Sequence, residues 1–260
     1  MGQVSAIFVK PDSGHDMAEK IHEAVRFSRG LGIEGDISAH CFSPRQVLVT
    51  RQEDLEVFGI RAGGLRENVV VAGLQRSDLR PGGMLALGES VKIRLTFDCE
   101  PCKRILHVVR SLQEIVGYRG VLGVVVAPGV VSTGDVANGV PMQWPPFSDI
   151  PYRRFLGFVG HVPEGKVVTL KQVTIGMGVA SSYARAIPAY ISRTSGDSYP
   201  VHRIVAADGI LLRHIDHQAS KLRAEGVAII SSQPTFFDED ASESVDLRIT
   251  GWEGTSLYLD

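Results

Sequence analysis

The sequence predicts an α+β chain of two domains, and three observations carry that prediction. The first half holds many short β-rich runs separated by Gly and Pro turns, with few helical stretches, which is the pattern of a closed or nearly closed β-barrel with peripheral helices. Pro141, Pro145, Pro146 and Pro151 then crowd one short segment and preclude a regular helix there. Charge also changes along the chain: residues 1–140 carry 16 Lys+Arg against 16 Asp+Glu, residues 151–229 carry 10 against 5, and residues 230–260 carry 1 against 7. The expected boundaries are a first domain over 1–138, a Pro-rich linker over 139–151 and a second domain with an acidic tail over 152–260. At 260 residues and 44% apolar content, the chain can form two proper cores.

Taken in order, residues 3–9 read as a strand, and 16–28 as an amphipathic helix with Met17, Ile21, Ala24 and Val25 on one face. Gly30, Gly32 and Gly35 mark a loop. Strands are expected at 46–50, 68–72, 84–87, 90–97 and 121–126, with helical breaks near 52–58 and 112–116. Trp144 and Phe147 in the linker are expected to pack against a domain. A helix is expected from Ser182 to about Arg193, kinked at Pro188, and Asp246–Glu253 alternates like a strand. The run Phe236–Asp240 reads as a solvated loop.

Three cysteines do not make a disulfide framework, no early segment resembles a signal peptide, and the longest apolar run, Val121 to Val131, is too short to span a bilayer. A reducing cytoplasm and no membrane partner are therefore expected. The chemistry concentrates at Cys99-Glu100-Pro101-Cys102-Lys103-Arg104, where cationic neighbours favour a thiolate. A lone C-x-x-C lacks the second ligand pair of a zinc site, and Cys41 is isolated beside His40. On the residues alone, Cys99 and Cys102 fit either a reactive pair or small side chains at the end of a strand.

Around this stretch lie Gly35-Asp36, Pro44-Arg45-Gln46-Val47, Gly64-Leu65-Arg66-Glu67-Asn68-Val69, Pro81-Gly82 with Leu87-Gly88, Gly117-Tyr118-Arg119-Gly120 and Val130-Val131-Ser132-Thr133-Gly134-Asp135. In this order they resemble the MOSC family, domains related to the C-terminal part of molybdenum-cofactor sulfurases. The resemblance implies a MOSC-type barrel, a molybdopterin-type molybdenum cofactor, and Cys102 as the catalytic thiolate ligand of the metal. It further implies cofactor contacts from Lys103, Arg104, Arg45, Arg66, Asn68 and Arg119 at the barrel mouth, since arginine forks suit phosphate and carbonyl groups.

The second half has Val162-Pro163-Glu164-Gly165-Lys166-Val167-Val168-Thr169, Ser182-Tyr183-Ala184-Arg185-Ala186, Tyr199-Pro200-Val201-His202-Arg203, Asp208-Gly209 and Leu222-Arg223-Ala224-Glu225-Gly226-Val227. This order resembles the C-terminal domain of alkylguanine-DNA alkyltransferases, implying a mainly helical, winged-helix-like fold. Val201 stands where that family has its acceptor cysteine, and valine offers no nucleophile. The alkyltransferase-like proteins, which bind lesions without repairing them, keep the fold but commonly have tryptophan there. Leu170 stands where the family has a tyrosine that helps rotate the nucleotide. The resemblance implies nucleic-acid contacts from Ser182, Tyr183, Arg185, Lys171, Val201 and Arg203, with Arg185 filling the gap left by an extruded base.

Two functions follow as expectations. One is a molybdenum-dependent enzyme, reducing N-hydroxylated nucleobase-type substrates with an electron-donor protein or else transferring sulfur, coupled to a domain that binds nucleic acid or a modified base. The other is a non-enzymatic sensor of alkylated DNA whose first domain is a scaffold or docking module.

Overall fold

The computed structural model describes residues 1–14, 16–231, 242–254 and 257–258, and the chain divides into two units, 1–147 with 255–260, and 148–254. The linker is shorter than the sequence suggests, because Gly139 and Val140 belong to a strand and Pro151 opens a helix. Residues 255–260 group with the first unit, whereas the sequence assigns them to the second.

In the first unit the strands are β1 (Gly2–Val9), β2 (Ala18–Glu19), β3 (Val25–Ser28), β4 (Gly32–Ile33), β5 (Val47–Arg51), β6 (Val69–Ala72), β7 (Met84–Leu87), β8 (Val91–Asp98), β9 (Val121–Ala127), β10 (Gly129–Val131) and β11 (Val136–Val140). The sheet order β11-β7-β8-β9-β5-β6-β1 closes through a β11–β1 pairing, giving a seven-stranded barrel among the described residues. Its neighbours pair antiparallel except β5 and β6, where Val49 aligns with Val69 in parallel. The single described α-helix of this unit, α1 (Gln52–Val57), follows β5 directly. Inward-facing Val47, Val49, Val69, Val71, Ile93, Leu95, Val121 and Val125 fill the barrel. These β-branched and aliphatic side chains recur at every second position, as a pleated strand with one face on a core requires.

The expected helix over 16–28 is not formed. Val25 and Phe27 are buried while Arg26 between them is exposed, and β3 pairs with β10 and β4. Two-residue alternation that places Phe27 in the barrel core outweighs the helix-like spacing of Met17, Ile21 and Val25. Residues 112–116 form turns around buried Ile115 instead of a helix. Phe147 meets Phe97 and Tyr258 edge-on at centroid distances of 6.2 and 5.2 Å, and the Arg94 guanidinium lies 5.2 Å from the Trp144 ring centre. Both linker aromatics therefore pack within the first unit.

The second unit contains α2 (Pro151–Val159), β12 (Val168–Thr169), α3 (Leu170–Gly176), α4 (Ile187–Ser192), β13 (Ile204–Val205), α5 (Gln218–Ala224), β14 (Ile230–Ser231), β15 (Glu243–Ser244) and α6 (Leu247–Thr250). Pro151 stands in the first turn of α2, where its missing N–H costs nothing. Thr169 caps α3: its hydroxyl accepts the Gln172 N–H, while Gln172 Oε1 accepts the Thr169 N–H at 2.8 Å. Phe155, Phe158, Val173, Met177, Ile187 and Ile191 are all buried. The helix expected over 182–193 is two pieces, a 3-10 turn over Ser181–Ala186 and then α4. Pro188 does not kink one helix but starts a second, because its fixed φ suits a first turn. Asp246–Glu253 also departs from its expected strand: Asp246 accepts the Arg248 N–H and nucleates α6, after which Gly251 bridges to Val167. Trp252 packs against Phe158 with ring centres 5.9 Å apart. The run Phe236–Asp240 lies outside the described residues.

Candidate functional site

Pleating decides where the cysteine stretch faces. Val47 and Val49 point into the barrel, so Leu48 between them points out; Leu48, Leu122, Phe97 and Cys99 form a separate outer cluster. A cavity of about 140 Å³ opens over this cluster, lined by polar Lys10, Asp36, Ser38, Arg45, Arg66, Asn68, Arg104 and Arg119 as well as Leu48, Leu122 and Cys99. The predicted Arg45, Arg66, Asn68 and Arg119 thus converge on one cavity, beside the outward-facing Leu48 and Leu122.

Cys102 ends the extended segment after β8, just before a 3-10 turn over Lys103–Ile105. Arg119 donates from Nη1 to Cys102 Sγ at 3.2 Å and also to the Glu100 carbonyl. Burial by itself would raise the Cys102 thiol, but the Arg104 backbone N–H and the Arg119 guanidinium outweigh it, with the Arg104 charge adding to them, so the thiol lies below its ordinary range. Sequence proximity had pointed to Lys103 and Arg104. In the structure neither Cys102 nor the exposed Lys103 lines the cavity, and Arg119, seventeen residues away, lines it and makes the contact to Cys102. Cys99 is the opposite case: burial pushes its thiol up, and Arg119 and Arg45 only partly offset this.

Local backbone features hold these groups in place. Gly120 has φ +101°, and a Cβ there would overlap the Val49 carbonyl, so glycine lets the Arg119 segment lie against β5. The Thr50 hydroxyl donates to the Arg119 carbonyl at 3.1 Å. Arg66 adopts φ 64°, a left-handed conformation that costs about 1–2 kcal/mol in a non-glycine residue. Asn68 is buried, with Nδ2 donating to Asp36 Oδ2 at 2.8 Å and Oδ1 accepting the Leu48 N–H at 3.0 Å. Asp36 further accepts the backbone N–H groups of Lys10 and Ser38, at 2.9 and 2.8 Å. Lys10, Asp36 and Ser38 were not singled out from sequence as site residues, although Asp36 lies in a motif. Only the return of β1 and the 36–38 loop to the same wall reveals them.

In the second unit Val201 is buried, 5% exposed, in a 3-10 turn over Val201–Arg203. Glu225 organises its surroundings. The carboxylate accepts from His202 Nε2 at 2.6 Å, from Arg203 Nη2 at 2.7 Å, from Arg203 Nε at 3.0 Å and from the Gly165 N–H at 3.1 Å. Arg203 Nη1 donates to the Val162 carbonyl at 2.6 Å. Burial raises the Glu225 carboxyl, but Arg203 and His202 more than compensate and hold it below the usual carboxylate range. Gln218 ties the same turn to α5, donating to the His202 and Ile204 carbonyls. Ser182, Tyr183, Arg185 and Lys171 are exposed, whereas Val201 and Arg203 are enclosed. The six predicted nucleic-acid residues thus divide into an outer group of four and an inner pair.

No curated protein matches the chain. Solved structures similar to it include the YUAD protein of Bacillus subtilis, at 19% identity and TM-score 0.48, covering 55% of this chain and 97% of that one. YiiM from Geobacillus stearothermophilus aligns at 16% identity and TM-score 0.43 over 73% of this chain and 99% of its own. S. pombe Atl1, crystallised with damaged DNA containing O6-carboxymethylguanine, aligns at 25% identity and TM-score 0.34 over 40% of this chain and 96% of its own. Residues 34–138 match the family model of the MOSC domain, and the residues lining the cavity fall within that segment apart from Lys10 and Met17.

Proposed function

We propose that the first unit holds a molybdenum–pterin cofactor through Cys102, and that the second binds nucleic acid or a modified nucleobase without accepting an alkyl group. The observation that carries the first part is the Arg119–Cys102 hydrogen bond beside a cavity lined by five cationic side chains. A depressed thiol supplies the soft ligand such a metal takes. Arg119 Nε is buried without a partner, a donor left over for an anionic acceptor. Among the described residues no group of three or more His, Cys, Asp or Glu could cage a metal ion. This donor set suits a metal whose other ligands arrive with a pterin. Arg45, Arg66, Arg104 and Asn68 would hold the anionic part of that group, and Lys103 would contribute charge from outside the cavity.

When bound, the cofactor would supply reduction of N-hydroxylated nucleobase-type substrates, with electrons from a donor protein, or transfer of sulfur. Arg119 keeps the sulfur ionised and oriented, and Asn68 with Asp36 fixes the facing wall. The test is elemental and pterin analysis of the purified chain. About one molybdenum per chain is expected, lost in Cys102→Ser and only mildly reduced in Cys99→Ser; equal content in wild type and Cys102→Ser would refute the assignment.

A second reading draws support from Val201: a buried aliphatic side chain occupies the acceptor position while the Glu225 network around it is intact. The chain would then be a non-enzymatic sensor of alkylated DNA. Fluorescence anisotropy with duplexes containing O6-alkylguanine, at two salt concentrations, tests this reading. No molybdenum together with lesion-selective binding would favour it, and no binding at low salt would reject nucleic acid as the ligand.

A further inference from the structure

A second cavity of the first unit, of about 230 Å³, stands back to back with the one that Arg119 lines. Four pairs of chain neighbours divide between the two: Val49, Asp98, Tyr118 and Val121 line this cavity, while Leu48, Cys99, Arg119 and Leu122 line the other. Successive residues of extended chain point to opposite sides, so one layer of backbone separates two chambers that share no lining residue. The floor of the second is apolar, since Val49, Leu79 and Val121 belong to the buried core of the barrel. Its walls are charged. Arg51 ends β5, Asp54 lies in α1, Arg76 stands on a 3-10 turn over Arg76–Asp78, and Asp98 ends β8. With Arg80, three guanidinium groups stand against two carboxylates in the lining.

Asp54, 6% exposed, accepts from Arg51 Nη1 at 3.0 Å and from Arg76 Nη2 at 2.9 Å on the same oxygen. One buried carboxylate thus fixes two guanidinium groups. Arg51 is further committed, with Nε donating to the Leu74 carbonyl at 2.8 Å and Nη2 lying 3.3 Å from Glu53. Arg76 lies 3.7 Å from the centre of the Tyr118 ring, which Phe58 meets edge-on at 5.0 Å. Arg80 is exposed and, among the described residues, its side chain has no hydrogen-bond or ion-pair partner, so Asp98 does not neutralise it. Uncommitted positive charge therefore sits beside an apolar floor. We propose that this chamber is a second binding site, for a small aromatic carboxylate whose ring covers Val49, Leu79 and Val121 and whose carboxylate meets Arg76 and Arg80. Volume sets the size: an apolar cavity of about 150 Å³ takes a benzene ring, and the larger chamber here leaves room for a carboxylate beside it. Chemistry sets the polarity. The ring gains from leaving water, and the carboxylate meets a guanidinium that Asp54 already holds in place. An inorganic anion would gain at the rim and leave the floor uncovered.

Saturation-transfer NMR on the purified full chain tests this with benzoate, benzamide and acetate, which carry ring and charge, ring alone and charge alone. Benzoate should bind saturably and about tenfold more tightly than either of the others, the worth of one charge-assisted hydrogen bond or of one buried ring. Arg80→Gln should weaken benzoate about two- to fivefold, as expected for one exposed charge pair, and leave benzamide unchanged. Val116→Glu places an acid at an exposed position of the same lining and should act in the same direction on benzoate alone. Both substitutions are at exposed positions, so the fold is retained and either one decides the matter. Arg45→Gln, in the other cavity, should not change benzoate binding. No saturable benzoate signal overturns the proposal, as does equal affinity for benzoate and acetate, which would mean a charged rim only. Loss of binding in Arg45→Gln but not in Arg80→Gln also overturns it, by placing the anion in the cavity that Arg119 lines. The assay needs no cofactor, so its failure is separate from a failure to find molybdenum.

Discussion

Glu225→Gln removes the charge from a carboxylate whose two oxygens, among the described residues of the second unit, accept from His202, Arg203 and the Gly165 N–H. Glutamine keeps one acceptor oxygen and turns an NH₂ group toward donors, leaving Arg203, whose side chain is 15% exposed, without its counter-ion. Breaking a buried pair from one side costs about 3–5 kcal/mol, and the residual exposure here argues for the lower end, so about 3 kcal/mol is expected. For a unit of this size that corresponds to a fall in Tm of roughly 12–24 °C. The chain has two tryptophans, Trp144 in the first unit and Trp252 in the second. In a Trp144→Phe background, urea unfolding followed by fluorescence therefore reads the second unit through Trp252 against Phe158. The pH dependence has a definite sign. Because the folded-state carboxyl is depressed, the contribution of Glu225 is fully present above the unfolded carboxylate pKa and is lost as pH falls through the folded value. The variant should lack that acid-range decline. A Glu225→Gln stability within about 0.5 kcal/mol of wild type, the range of an ordinary surface substitution, would refute the reasoning.

Arg119→Gln should move the Cys102 thiol upward toward its ordinary range, visible as a higher midpoint in the pH dependence of iodoacetamide labelling; an unchanged midpoint would remove Arg119 from that role. Gly176→Ala places a Cβ into the Phe158 ring and should cost about 1–3 kcal/mol by overpacking, measured by urea unfolding of the second unit. Arg185→Ala should lower any preference for a modified over an unmodified base in anisotropy titrations, whereas an equal loss on both would mark a phosphate contact. Incubation with O6-methylguanine DNA should leave no alkyl group on the protein, because Val201 has no nucleophile; a labelled protein recovered by mass spectrometry would contradict this.

The barrel strands were legible as short β-branched and aliphatic runs between Gly and Pro turns, and β7 falls where the sequence puts it, at Met84–Leu87. The segment before Phe27 was not, since Met17, Ile21 and Val25 satisfy a helical spacing and only pairing with β10 shows which period applies. Arg45, Arg66, Asn68 and Arg119 were found through motifs, and they do share one cavity. That the outward-facing Leu48 and Leu122 share this cavity could not be read, because it depends on which face of β5 Leu48 occupies. Glu67 is harder still: in sequence it is one more acid among sixteen in the first 140 residues, and its burial shows only once the chain turns Gly63 back to donate to it.

Tyr258 gives the second unit a boundary condition that local packing alone would not. Its ring meets Phe147, its hydroxyl donates to the Phe42 carbonyl at 3.3 Å, and its own carbonyl accepts from Arg94. All four residues belong to the first unit, so the chain leaves that unit at Phe147 and is clasped to it again at Tyr258. The intervening segment is topologically a closed loop of roughly a hundred residues, tied by side chains where a secreted protein would use a disulfide. While the clasp holds, the unfolded second unit has fewer arrangements available than a free chain. A covalent tie across such a loop is worth on the order of 4–5 kcal/mol, and a clasp can contribute no more than its own strength. The folding equilibrium of residues 148–254 is thereby linked to a tyrosine outside them, so that loosening Tyr258 would lower the stability of a unit it does not belong to.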